Sequence, residues 1–141
     1  MKYLKNIKKS QSKYKNKKIF RDGEWFDSVH EYKRYRELIL LQRAGVISDL
    51  RRQVPFELIP AQYELIPTGE KYVRGERKGQ EKYKRVCVEQ SVVYNADFVY
   101  TADGKTIVED TKSDPTKTKD YIIKRKLMLY MKGIRISEVK E

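Results

Sequence analysis

The chain has 141 residues, 39% of them apolar and 37% charged, with a formal net charge of +12; this is the length of one domain with one core, facing a polyanionic partner. One cysteine, Cys87, and one histidine, His30, exclude an intramolecular disulfide and a zinc site of cysteine and histidine, so a bound metal must rest on oxygen ligands. No run of about eighteen apolar residues and no signal-peptide core breaks the charged pattern, which points to a cytoplasmic protein with no membrane partner.

Residues 1–20 read as a basic, flexible arm and 21–141 as the domain. Met1 to Lys18 holds eight lysines and no acid, so Lys13, Lys15, Lys17 and Lys18 either form a solvated tail or contact phosphates. From Ser28 to Ala44 the residues Val29, Tyr32, Tyr35, Leu38, Ile39 and Leu41 recur at helical steps, with Gly45 as the stop. Gln53–Pro60 reads as a strand bounded by prolines, and a second short extended piece covers Tyr63–Ile66. Thr68–Lys82, with three glycines and mostly charged residues, reads as a loop or a flexible hairpin that closes over a ligand. Lys84–Tyr94 is rich in β-branched residues, and Ala96–Thr101 and Thr106–Lys112 are two further strands around Asp103-Gly104. Pro115–Lys132 is a second helix ending at Gly133, and Ile134–Val139 a last strand. The order predicts an α/β sheet with a helix on each face.

A two-residue Asp-Gly loop sets cross-strand register, here as pairs whose numbers sum to 207, so that Phe98 faces Glu109 and Asp97 faces Asp110. Opposed carboxylates destabilise a sheet, and the apolar neighbours Val99 and Val108 keep solvent from screening them. Something cationic belongs between them. Alternation brings Lys112 to the same face, which allows a structural salt bridge without chemistry. The other answer is a divalent cation, for which an oxygen-only ligand set suits Mg²⁺ or Mn²⁺.

Asp97 in VYNADFVY, followed by IVEDTK with Asp110 and Lys112, resembles the PD-(D/E)XK motif of restriction enzymes and archaeal-type junction resolvases, and is most similar to small phage-encoded members. Ala96 stands where proline is commoner, and Asp110 where glutamate is; both variants are tolerated in that superfamily. The resemblance spans roughly Ser28 to Val139 and implies a restriction-endonuclease-like core of helix, three-stranded antiparallel meander, helix and strand. It also implies Mg²⁺-dependent hydrolysis of DNA phosphodiesters on branched or recombining DNA, in a bacterial host cell if phage-encoded, with Asp97 and Asp110 holding the metal and Lys112 beside them. An acid from the first helix often completes such a site, and Glu31 is the candidate.

Glu31 shares a helical stripe with Tyr35 and Leu38 and should face the sheet, but Ser28 to Glu31 also spells a capping box, and both uses stay open. Glu109 is turned to the face opposite Asp110 and reads as a surface group or as a supporting one behind the ligands. His30 reads as a helix-start histidine rather than a base. Lys117, Lys119, Lys124, Arg125 and Lys126 are candidates to dock phosphates, while Tyr94, Tyr100 and Tyr121 belong either to the core or to sugar and base contacts. Two rival functions remain: a non-catalytic nucleic-acid-binding module of the same fold, and a protein–protein adaptor. Symmetric cleavage of a junction would require a twofold homodimer.

Overall fold

The Ser28 hydroxyl accepts the Glu31 backbone N–H at 3.1 Å and so starts α1 (Val29–Arg43), which ends at Ala44 ahead of Gly45 with φ +75°. In the computed structural model, which describes residues 17–112 and 117–140, this helix has the bounds its periodicity predicts. The second helix, α2 (Lys119–Lys132), is capped by Thr118 and closed by Gly133 in the left-handed conformation, whose N–H meets the Leu129 and Met128 carbonyls. Its first residue falls later than predicted, and Pro115 lies outside the described residues.

Between and around the helices run β1 (Ile19–Arg21), β2 (Glu24–Phe26), β3 (Ser48–Ile59), β4 (Gln62–Lys71), β5 (Glu81–Glu89), β6 (Val92–Ala102), β7 (Lys105–Thr111) and β8 (Ser137–Val139). A four-stranded sheet in the order β3-β6-β7-β8 forms the centre, antiparallel except for the β7–β8 pair, whose parallel connection is α2. On one side Leu38 of α1 packs with Ile47, Phe98 and Tyr100; on the other Tyr121 and Met128 of α2 pack with Leu58, Tyr94, Ala96, Val99 and Val108. The described residues form a small α/β domain with two helices. No described helix is long and apolar enough to cross a membrane.

The β6–β7 hairpin has the predicted register. Ala102 pairs with Lys105, and the ladder continues to Phe98 with Glu109. Asp103 and Gly104 both adopt positive φ, +49° and +71°, as a turn matching the twist of the strands requires. The predicted next pair, Asp97 with Asp110, is not in the ladder, which stops one step short.

A second interruption explains why. Arg52 pairs with Phe98 and Val54 with Ala96, but Gln53 and Asp97 between them do not pair, and Gln53 has φ +49°. Across this gap both strands change which alternate residues face which helix. On β3, Val54, Phe56 and Leu58 pack on the α2 side, whereas Leu50 packs on the α1 side; on β6, Tyr94 and Ala96 face α2, whereas Phe98 and Tyr100 face α1. Since the register is the same on either side of the gap, neither strand has gained a residue and the two switch together. Asp97 sits at the switch, between the two faces.

Several predicted boundaries are corrected. Lys84–Tyr94 is not one strand, because β5 ends at Glu89 and β6 begins at Val92. The Gln53–Pro60 strand is the second half of the longer β3, and Tyr63–Ile66 is the start of β4. Thr68–Lys82 is the outer half of the β4–β5 hairpin, a two-stranded ribbon separate from the central sheet, and all ten residues of β4 are exposed. Ile19 and Phe20, counted with the basic arm, lie in a β1–β2 hairpin around Asp22-Gly23. Tyr94, Tyr100 and Tyr121 are buried and belong to the core, not to a stacking surface.

Candidate functional site

Asp110 occupies the end of β7 and is 2% exposed. Its Oδ2 accepts the Tyr94 hydroxyl at 2.8 Å. Its Oδ1 is buried and meets no hydrogen-bond donor among the described residues, although the Lys112 ammonium stands 3.5 Å away. Burial, and then the neighbouring Asp97, push the Asp110 carboxyl up to about 8, against the pull of Lys112 and Tyr94. A buried carboxyl beside a second acid ionises readily only where a cation stands against it.

Asp97 is held from two sides. Its Oδ2 accepts both the backbone N–H of Thr111 at 2.9 Å and the Thr111 hydroxyl at 2.8 Å, and its Oδ1 faces the Gln53 side-chain amide at 3.5 Å. The Thr111 N–H is therefore taken by a side chain rather than by a strand, which is the physical reason the β6–β7 ladder ends before Asp97. The sequence prediction of two aspartates side by side survives as electrostatic contact, not as a ladder pair.

Glu31 is buried at the start of α1, where its backbone and its carboxylate make separate contacts. Its backbone N–H takes the Ser28 cap, while its carboxylate accepts the Asp27 N–H at 2.7 Å, one residue upstream of the Ser28 amide that a capping box would use. The same carboxylate accepts the Gln53 amide at 2.8 Å and faces Arg52 at 3.3 Å. Burial first, with the charge of Asp97, raises the Glu31 carboxyl, opposed by the hydrogen bonds from Asp27 and Gln53 and by Arg52. Glu31, Gln53 and Asp97 thus form a hydrogen-bonded chain leading towards Asp110. Gln53 had no sequence signal: a polar residue within a strand reads as solvent-facing, and glutamine does not announce a left-handed backbone.

Lys112 is anchored by its backbone N–H to the Val139 carbonyl at 3.0 Å, and its ammonium lies 4.8 Å from the centre of the Tyr121 ring. Glu109 is corrected from a surface group to a buried one. Arg34 grips it with two bonds of 2.6 and 3.0 Å, and the Tyr100 hydroxyl adds a third at 2.7 Å.

The expected phosphate contacts divide. Lys117 and Arg125 both bond Glu138, at 2.8 and 2.7 Å, so each already faces a carboxylate. Burial acts to raise Glu138, but the bonds from Lys117, Arg125 and Tyr121 outweigh it and hold this carboxyl at about 2. Lys119 and Lys126 are exposed and Lys124 half-buried. Lys17 and Lys18 are exposed, Lys18 lying 3.4 Å from Asp27, while Lys13 and Lys15 lie outside the described residues. His30 lines a cleft with Lys33, Arg34 and Thr111.

Among the described residues no three His, Cys, Asp or Glu side chains converge on one point. Zinc, which takes most of its ligands from protein, does not fit this donor set. Mg²⁺ or Mn²⁺ does, because such ions keep several waters and need one or two carboxylates; the bare buried Oδ1 of Asp110 beside Asp97 is an acceptor of that kind.

No curated protein and no solved structure matches this chain. Residues 11–140 match the model of a family described as "Protein of unknown function (DUF1064)", a span that includes Glu31, Gln53, Asp97, Asp110 and Lys112. On that match, over most of its length, the chain belongs to the DUF1064 family.

Proposed function

We propose that this protein is a Mg²⁺- or Mn²⁺-dependent endonuclease of the PD-(D/E)XK type, with a restriction-endonuclease-like core, acting on branched or recombining DNA. The observation that carries this reading is the Asp110 carboxylate: buried, with one oxygen bare, beside a second aspartate and an ammonium. Asp97 and Asp110 would hold a divalent ion, which would supply a water of lowered pKa and neutralise charge on the scissile phosphate. Tyr94 fixes Oδ2 of Asp110 and leaves Oδ1 facing the site; Thr111 fixes Oδ2 of Asp97 in the same way. Lys112 would orient the attacking water or stabilise charge on the phosphate. Exposed Lys119 and Lys126, with the lysines of the arm, bring the DNA backbone to the site.

One observation favours a second reading. Lys112 lies 3.5 Å from Asp110 and no third acidic, histidine or cysteine ligand converges among the described residues, as in a structural ion pair within a non-catalytic nucleic-acid-binding module. Incubation with supercoiled, linear and four-way-junction DNA, in Mg²⁺ or in chelator, separates the two. The nuclease reading expects metal-dependent cleavage that Asp110→Asn abolishes. Equal cleavage by that variant removes Asp110 from the site, and binding without cleavage by the unaltered protein supports the module.

A further inference from the structure

Gln53 stands where β3 and β6 lose their pairing and change faces. Its φ of +49° lies in a region that residues other than glycine rarely adopt, and glutamine lacks the short side chain that lets asparagine tolerate it. The residue is exposed, so packing does not impose this conformation. Backbone strain of this kind persists where other contacts over-determine it, and it concentrates at functional sites.

Here the other contacts are two carboxylates. The side-chain amide nitrogen of Gln53 bonds Oε1 of Glu31 at 2.8 Å and reaches Oδ1 of Asp97 at 3.5 Å. An amide nitrogen carries two hydrogens and so can serve two acceptors, while the carbonyl end in its place would set a third oxygen against them. A neutral double donor here relieves repulsion between Glu31 and Asp97 without neutralising either carboxylate as a lysine would. Asp97 is then held on one oxygen by Thr111 and on the other by Gln53.

We propose that Gln53 is a positioning residue of the carboxylate site, whose amide ties Glu31 to Asp97 and holds Asp97 in the orientation that a cation shared with Asp110 requires. This rests on the metal-dependent reading above. Partners that orient metal ligands typically matter by 10–100-fold in affinity when removed.

The test uses the full chain and Mn²⁺ as the probe. Gln53→Met keeps length and backbone demand but removes the amide; Gln53→Asn suits the left-handed backbone but is too short to bridge; Gln53→Gly frees the backbone altogether. Calorimetric titration is expected to show all three binding Mn²⁺ roughly 10–100-fold more weakly than the unaltered protein. In chelator, Gln53→Asn and Gln53→Gly should melt at or above the unaltered protein's temperature, because strain is relieved. On DNA at saturating concentration, kcat falls while KM changes little. Unaltered Mn²⁺ affinity in Gln53→Met overturns the proposal, and so does unaltered affinity in Gln53→Gly, which would assign the effect to backbone shape. If the unaltered protein itself binds no Mn²⁺, the metal-dependent reading fails first and takes this inference with it, which separates the two failures.

Discussion

Glu109 and Asp110 are adjacent on β7, both buried, and each is served by a tyrosine and a basic side chain, yet they end in opposite states. Glu109, on the α1 side, receives two bonds from Arg34 and one from Tyr100, so both oxygens are satisfied. Asp110, on the α2 side, receives one from Tyr94, and its other oxygen has only an ammonium at 3.5 Å and a neighbouring acid. A planar guanidinium matches a carboxylate with two parallel bonds, whereas an ammonium is a point charge on a flexible stem. The first arrangement closes a buried charge; on the proposed reading, the second leaves a place for one more cation, so that one side of the strand serves stability and the other the metal.

The largest effects should fall oppositely on the two acids. Asp110→Asn is expected to reduce Mg²⁺-dependent cleavage to background while the melting temperature in chelator holds or rises, since a buried repulsion is gone. Glu109→Ala is expected to remove about 1–3 kcal/mol of stability, because the buried Tyr100 hydroxyl loses its acceptor and Arg34 keeps only its bond to the exposed Glu37; chemical denaturation measures it. A stable, active Glu109→Ala variant would erase the contrast.

The next effect is in pH. Asp110 has its folded pKa raised to about 8 from 3.8, so the folded chain holds a proton that the unfolded chain releases, and stability falls as pH rises from about 4 to about 8. Glu31, raised in the same direction, adds to this fall. Glu138, held at about 2, acts oppositely: its contribution is present above about 4.5 and lost as pH drops towards 2. Thermal melts in chelator should thus show greatest stability near pH 4–5, with a decline to pH 8 that Asp110→Asn flattens. An unflattened decline would place the titrating group elsewhere. The smallest effect tests the turn that sets the register: Gly104→Ala, at φ +71°, should cost about 1 kcal/mol by denaturant titration and leave cation affinity intact.

Much of this was legible before any coordinates. The Asp103-Gly104 turn implied the Phe98–Glu109 pairing and the placement of Asp110 and Lys112, and Ser28 with Gly45 bounded the first helix. The same Asp-Gly signal at Asp22-Gly23 marks the β1–β2 hairpin, whose strands of three residues have no periodicity to read. The split between β5 and β6 was missed because β-branched residues run through both sides of Gln90-Ser91 and no glycine or proline punctuates the turn.

What the sequence by itself determined is local: where most helices and strands run, which turn pairs β6 with β7, and that Lys112 stands beside Asp110. Such features depend on residues a few positions apart. Only the tertiary structure decided that Arg34 closes Glu109, that Glu138 occupies Lys117 and Arg125, and that Gln53 bridges Glu31 to Asp97. Those partners are brought together from distant segments by packing, and the left-handed backbone at Gln53 is not a preference of glutamine. The bare oxygen of Asp110 follows from the same cause: whether a buried acceptor finds a donor depends on every element around it.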